Sequence, residues 1–281
     1  MLNQNYNYPT MAYGGNNLIY FAFAAWARDF TDELPTGIIL YRQPLVAGQQ
    51  PPNLGAGGVV NGASFTAGAP VAPGSIISIF GTNLATMAGG STFVPLSTTL
   101  VSTSVTIAGN PAPLYYVGPA QINAQLPYQT PTGTQNVSVN VGGLESNTVT
   151  VPVAATAPGI FLYNGNYAVA QYPDYSLVGP DSPVAGGAVI IVYATGEGAV
   201  NNQPATGAAT GVGATVPTNV AVTATVGGKA AGVQYAGLVQ GFVGLLQVNL
   251  QVPTGLGAGT FPLVITFGGA ASNAAVLAVS Q

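Results

Sequence analysis

Apolar and polar residues alternate with a period of two along much of this chain. In "AQINAQLP" (120–127), Ile122, Ala124 and Leu126 fall on one side and Gln121, Asn123 and Gln125 on the other. "LQVNLQVP" (246–253) divides the same way, with Val248, Leu250 and Val252 against Gln247, Asn249 and Gln251. Strict alternation is the mark of a strand with one face in a core. The apolar series Val137, Val139, Val141 runs into Gly142-Gly143, and the series Leu263, Ile265, Phe267 runs into Gly268-Gly269. Such glycine pairs supply the positive φ angles that a tight hairpin needs. Six or seven short strands in about 100 residues, punctuated by turn signals, is the pattern of an Ig-like sandwich.

The pattern occurs twice. "GSIISIFGT" (74–82) aligns with "GAVIIVYAT" (187–195) at an offset of 113, and "GNPAPLYYVG" (109–118) with "GKAAGVQYAG" (228–237) at 119. The two octapeptides align at 126, and that offset then holds to the Gly-Gly turns and on to Ser146-Asn147 and Ser272-Asn273. Internal similarity of this extent predicts two domains of one fold. The expected organisation is all-β: two tandem Ig-like β-sandwich domains at 59–155 and 183–281, a connector at 156–182, and an N-terminal extension at 1–58.

"PVAPGSIISIFGTNL" (70–84) resembles the opening strand of IPT/TIG-type Ig-like domains, with Pro-Gly, an apolar strand, then Gly-Thr-Asn. Taken with "VVNGASF" (59–65), "APLYYVGPAQINAQLPY" (112–128), "VPVAATAPGIF" (151–161), "VYATGEG" (192–198) and "GFVGLLQVNLQVP" (241–253), residues 59–281 resemble the C-terminal Ig-like tandem of acidobacterial, Solibacter-type surface proteins. The resemblance implies a bacterial β-protein at the cell surface or outside the cell, and it brings no catalytic residue with it.

Composition sharpens this picture. Only 4% of residues are charged, against a hydrophobic fraction of 48%, with 39 Gly and 22 Pro. Three basic residues and a net charge of −4 leave no surface for phosphate, so nucleic acid is not an expected partner. With neither Cys nor His, thiolate chemistry, the usual general base and the commonest metal ligand are all missing. Asp29, Asp32 and Glu33 adjoin Arg28 and read as a solvated turn, Glu145 and Glu197 as isolated turn residues, and Asp174 and Asp181 do not have the spacing of a calcium loop. No enzyme, no cofactor and no metal site is expected. The sequon Asn136-Val137-Ser138 falls within an expected strand, a poor place for glycosylation.

The first 58 residues lie outside the repeat. The longest uncharged apolar run, Leu18–Ala27, is too short for a membrane helix, which needs roughly 20 residues. No basic residue precedes that run, so it is expected to stay in the mature protein. Ile19, Phe23, Trp26 and Phe30 have helical spacing, while Ile19, Phe21 and Phe23 have strand spacing, so periodicity leaves both open; "GIILYRQPL" (37–45) reads as a strand. Such apolar bulk in a short segment needs a dock, either on the chain's own first domain or on a neighbouring copy, and for the latter Ile19, Phe21, Phe23, Trp26, Phe30, Ile38, Ile39 and Leu40 are the candidate contacts.

A β-protein with one Lys has few of the charges that guard sheet edges. The first functional expectation is therefore an extracellular or cell-surface homopolymer, a filament or surface layer linked head to tail through the extension. The second is a monomeric adhesion or glycan-binding module, with Tyr115, Tyr116, Tyr163, Tyr167, Tyr172 and Tyr175 as candidate stacking aromatics.

Overall fold

The computed structural model describes residues 49–211, 213 and 215–281, together with the backbone of three strands before them. Two compact units divide the chain, Met1–Gln50 and Pro51–Gln281.

In the first unit, β1 (Tyr6–Gly14), β2 (Leu18–Ala25) and β3 (Ile38–Pro44) form an antiparallel sheet in that order. The segment for which a helix and a strand were both open is thus a strand. β2 is central, with Phe21 opposite Met11 and Tyr41, and Phe23 opposite Ile39. Trp26 and Phe30 lie outside the described residues.

The second unit is all-β and holds two Ig-like sandwiches. In the first sandwich, β4 (Asn53–Asn61), β5 (Ile76–Thr82), β7 (Leu114–Val117) and β8 (Gln121–Gln125) make one sheet in the order β4-β5-β8-β7. The facing sheet has β6 (Thr103–Ile107), β9 (Gly133–Val141) and β10 (Val149–Val153), with β9 between the other two. Ile77, Ile79, Ile122, Ala124 and Leu126 from one sheet meet Val105, Ile107, Val137, Val139 and Val141 from the other, all fully buried. Each full burial of a Val, Leu or Ile side chain stabilises by about 1.5–3 kcal/mol. This is the inward half of the alternation in the sequence.

The second sandwich repeats the plan with β11 (Val189–Thr195), β12 (Val222–Val226), β13 (Lys229–Leu238), β14 (Leu246–Gln251), β15 (Gly259–Phe267) and β16 (Ala275–Val279). Here β13 is long enough to serve both sheets: its first residues pair with β12 and its later ones with β14. Ile190, Val192, Leu246, Val248 and Leu250 pack against Leu263, Ile265 and Phe267. Ile160, Ala168, Ala170 and Val178 are buried in this same core, so residues 159–178 build on the second sandwich. Gly142, Gly143, Gly268 and Gly269 all have positive φ and close the hairpins that the sequence marks. Asn136 lies within β9, paired with β10. No helix among the described residues is long and apolar enough to cross a membrane.

Candidate functional site

The outward half of the alternation has a different fate in each sandwich. On β14, Gln247 and Asn249 are half-buried, and the Gln247 Nε2 donates to Asn249 Oδ1 at 3.3 Å. The sheet register sets Tyr193 of β11 opposite Gln247, and Tyr235 of β13 opposite Asn249. Two tyrosine rings therefore flank an amide ladder on one face of the sheet.

This face floors a groove of about 600 Å³ whose walls include Tyr175, Phe242 and Thr215. Tyr175 is 70% exposed and Phe242 54%. Phe242 sits on the loop 239–245 that joins β13 to β14, closed by a bond from the Val239 N–H to the Leu245 carbonyl at 2.9 Å. A second hollow of about 430 Å³ adjoins the first, sharing Tyr193, Val239 and Phe242 and adding Phe161, Leu162 and Leu245. Among the described residues, neither hollow has a charged side chain in its wall.

Two of the aromatic rings, those of Tyr193 and Tyr235, are held in place. Tyr193 Oη donates to Gln171 Oε1 at 2.8 Å, and Gln171 Nε2 donates to the Tyr175 carbonyl at 3.0 Å. Tyr235 lies across Gly237, where a Cβ would stand 2.2 Å from the tyrosine Oη. Partial burial raises the pKa of both Tyr193 and Tyr235, so both hydroxyls stay neutral donors at any physiological pH. Preorganised aromatic faces beside amide donors and acceptors are equipped to hold a flat, uncharged, hydroxyl-rich ligand.

On β8 of the first sandwich, Gln121 and Asn123 also stay half-buried on the outer face, but Gln125 is fully buried. The alternation sets Gln125 on the same outer side as Gln121 and Asn123, and there the second sandwich covers it. Gln125 Oε1 accepts from the Gly207 N–H at 2.7 Å, while its Nε2 donates to the Gly74 carbonyl at 3.2 Å. Around it lies a dense junction. Thr195 Oγ1 accepts from the Ile76 N–H at 2.9 Å and donates to the Gly244 carbonyl at 2.8 Å. Tyr115 Oη donates to the Val243 carbonyl, and Asn61 Nδ2 donates to the Ala157 carbonyl at 2.8 Å.

Glu197 is in this junction and is 0% exposed, with neither carboxyl oxygen hydrogen-bonded among the described residues. The isolated turn residue of the sequence reading is thus a buried acid. Gly196 and Gly198 bracket it at φ +95° and +76°, and a Cβ on either would stand 1.9 Å from a carbonyl oxygen, of Ala157 and Ala155 respectively. Only glycine fits such a backbone. Burial pushes the Glu197 carboxyl up from 4.5 to about 8, opposed more weakly by the backbone amides of Glu197 and Gly196. Burial likewise raises Tyr128 and Tyr115, and the Glu197 charge adds to both.

The six candidate tyrosines are not brought together. Tyr115 is in the junction and Tyr116 on the outer face of β7. Tyr163 and Tyr167 lie against each other at 6.1 Å, with Tyr163 Oη bonded to the Val178 carbonyl. Tyr172 Oη bonds the Ser182 carbonyl, and Tyr175 alone of the six lines the groove. Sequence reasoning missed Tyr193, Tyr235 and Phe242. Asp174 accepts from the Ser176 N–H and Oγ in a local turn. Among the described residues no cluster of three or more acidic side chains suited to a metal ion is found.

Residues 61–156 match the IPT/TIG domain family, in keeping with the Ig-like fold of the first sandwich. No curated protein matches the chain. Among solved structures, the chain is similar to SGBP-B of the Bacteroides ovatus mixed-linkage glucan utilization locus, in complex with a mixed-linkage heptasaccharide, at 14% identity and a TM-score of 0.34. That match covers 75% of this chain and 43% of the other, so the chain spans less than half of that protein's length. It is also similar to domains 5–6 of the S-layer protein SbsC (14% identity, TM-score 0.25, 82% of this chain and 99% of that one). A third likeness is to the Escherichia coli adhesin FdeC (11% identity, TM-score 0.25, 100% and 88%). Likenesses this distant carry no functional argument.

Proposed function

We propose that this chain is an extracellular or cell-surface recognition module that binds an uncharged polysaccharide in the groove of the second sandwich. The observation that carries the reading is the lining: Tyr175, Tyr193, Tyr235 and Phe242 gather around Gln247 and Asn249, with no charged side chain among the lining residues. Sugar rings offer C–H faces to aromatic rings and hydroxyls to amides, and a neutral site discriminates against uronates and phosphates, whose charge it leaves unpaired. The fixed rings lower the ordering cost of binding.

Affinity electrophoresis of the full chain through gels containing neutral glucans, mannans or xylans tests the proposal. Retardation by at least one polymer, reduced in Tyr193→Ala and Phe242→Ala, is expected. Removing one stacking ring, worth about 0.5–1.5 kcal/mol, weakens binding about two- to tenfold. Migration unchanged in every gel, or retardation equal in the variants, would overturn it.

The homopolymer reading draws on the low charge of the chain and on residues 1–58, and it is separated by sedimentation velocity of the same protein. A species that grows with concentration and vanishes on removal of residues 1–58 would favour assembly. A single monomeric boundary favours the recognition module.

A further inference from the structure

The groove has a counterpart. The offset of 113 maps Tyr193 onto Phe80, the offset of 119 maps Tyr235 and Gly237 onto Tyr116 and Gly118, and the offset of 126 maps Gln247 and Asn249 onto Gln121 and Asn123. The sheet pairs these residues identically. Gln121 stands opposite Phe80 as Gln247 stands opposite Tyr193, and Tyr116 stands opposite Asn123 as Tyr235 stands opposite Asn249. Even the irregularity is shared, between Leu114 and Tyr116 in one copy and between Val233 and Tyr235 in the other. Because side chains alternate along a strand, a register kept through a bulge keeps all four on one face.

The fine structure agrees. Gln121 Nε2 donates to Asn123 Oδ1 at 2.8 Å, the same amide ladder as in the groove, and Ser78 Oγ adds a further bond to Asn123 Oδ1 at 3.0 Å. Tyr116 lies over Gly118, where a Cβ would be 2.6 Å from its Oη, as Tyr235 lies over Gly237. Where the second copy has Tyr175 and Phe242 as walls, the first has Phe65, whose ring leans on Phe80 at 6.2 Å and 49°. Phe65 is 52% exposed and Tyr116 36%, and Phe65 is held at φ +52°, a backbone conformation that few bulky residues adopt. A large aromatic kept exposed at a strained position is poorly explained by stability of the sandwich alone.

We propose that the outer face of the first sandwich, formed by Phe65, Phe80, Tyr116, Gln121 and Asn123, is a second binding site for an uncharged glycan chain. This rests on the glycan reading of the groove. The occupant follows from the duplicated chemistry: the same two aromatic positions flank the same two amides in the same register, and none of these five side chains is charged. The chain is then bivalent, and a polymer that engages both sites is held more tightly than a short fragment that fills one.

Isothermal titration of the full chain with cellohexaose, laminarihexaose and mannohexaose counts the sites. Two equivalents of at least one hexasaccharide per chain are expected. Phe80→Ala and Tyr193→Ala each weaken one of the two sites about two- to tenfold, and the double variant weakens both. Gln121→Ala, which leaves every ring in place, is expected to weaken the first site alone, so a misfolded Phe80 variant does not decide the matter. One equivalent in the parent, weakened by Tyr193→Ala and untouched by Phe80→Ala and Gln121→Ala, would overturn the second site and leave the groove standing. One equivalent weakened by Phe80→Ala and untouched by Tyr193→Ala would overturn the groove instead. No heat with any of the three takes both down.

Discussion

Replacing Glu197 by Gln is expected to flatten the pH dependence of stability. In the folded chain burial holds the proton on this carboxyl up to about pH 8, whereas an exposed Glu releases it near 4.5. Between these values the unfolded chain has lost a proton that the folded chain keeps. Stability therefore falls as pH rises through that window, then levels off above it. A difference of 3.5 pH units, from 4.5 to about 8, sets a ceiling of about 5 kcal/mol at roughly 1.4 kcal/mol per unit. Relaxation around a charged carboxylate brings the expected loss nearer 3 kcal/mol.

The charged groups that face it do not mask the effect. Tyr115 and Tyr128 have raised pKa values and stay neutral throughout the window, and the one cation in residues 51–281, Lys229, is held by the carbonyls of Thr254 and Gly255. Glu197→Gln keeps the shape and removes the ionisation. Urea denaturation followed by far-UV circular dichroism at about pH 5, 6.5 and 8.5 reads the difference. The parent and the variant should be close at the lowest pH and about 3 kcal/mol apart, in the variant's favour, at the highest. Parallel curves with equal slopes against pH would show that the carboxyl is not buried as a neutral acid, and the reasoning would fall.

Thr195→Val removes both junction bonds of that side chain and leaves the buried Ile76 N–H and Gly244 carbonyl without their partner, a cost of about 2–4 kcal/mol by chemical denaturation. Phe267→Ala empties a fully buried position opposite β14 and should cost about 3–5 kcal/mol, read as a lower urea midpoint. Gly237→Ala places a methyl against the Tyr235 hydroxyl and should impair retardation in glycan gels, whereas Gln251→Ala, on the exposed end of β14, should not. Because no charge lines the groove, glycan affinity should change by less than about twofold between roughly 0.05 and 0.5 M salt, and a steep salt dependence would mean that another surface binds.

Much of the fold is legible in the alternation. Leu263, Ile265 and Phe267 are fully buried because period two on a strand has one inward face, and Val137, Val139 and Val141 follow for the same reason. Gln125 shows where that logic stops. Alternation says which side chains leave their own sandwich, and says nothing about what the next sandwich lays over them. Tyr115 and Tyr116 straddle a register break in β7, with Leu114 and Val117 on either side both turned into the core, so alternation alone could not assign their faces. The partners that matter, Tyr193 and Gln247, are brought together by strand pairing, a long-range fact that no local window holds. Glu197 did leave a signal: an acid between two glycines, in a chain with only seven acids, marks a tight backbone around a costly side chain. At β2, helical and strand spacings coexist in the same residues, and pairing on both sides decides for the strand.

The change of offset from 119 to 126 is where the two halves part. It marks seven extra residues in the second copy, at the turn between β13 and β14, where the first copy crosses from β7 to β8 through Gly118, Pro119 and Ala120 alone. That same lengthened turn holds Phe242 in the groove wall and offers the Val243 and Gly244 carbonyls to Tyr115 and Thr195. These seven residues make the two halves non-interchangeable: they wall one outer face into a cleft and also bind that half to its neighbour through Val243.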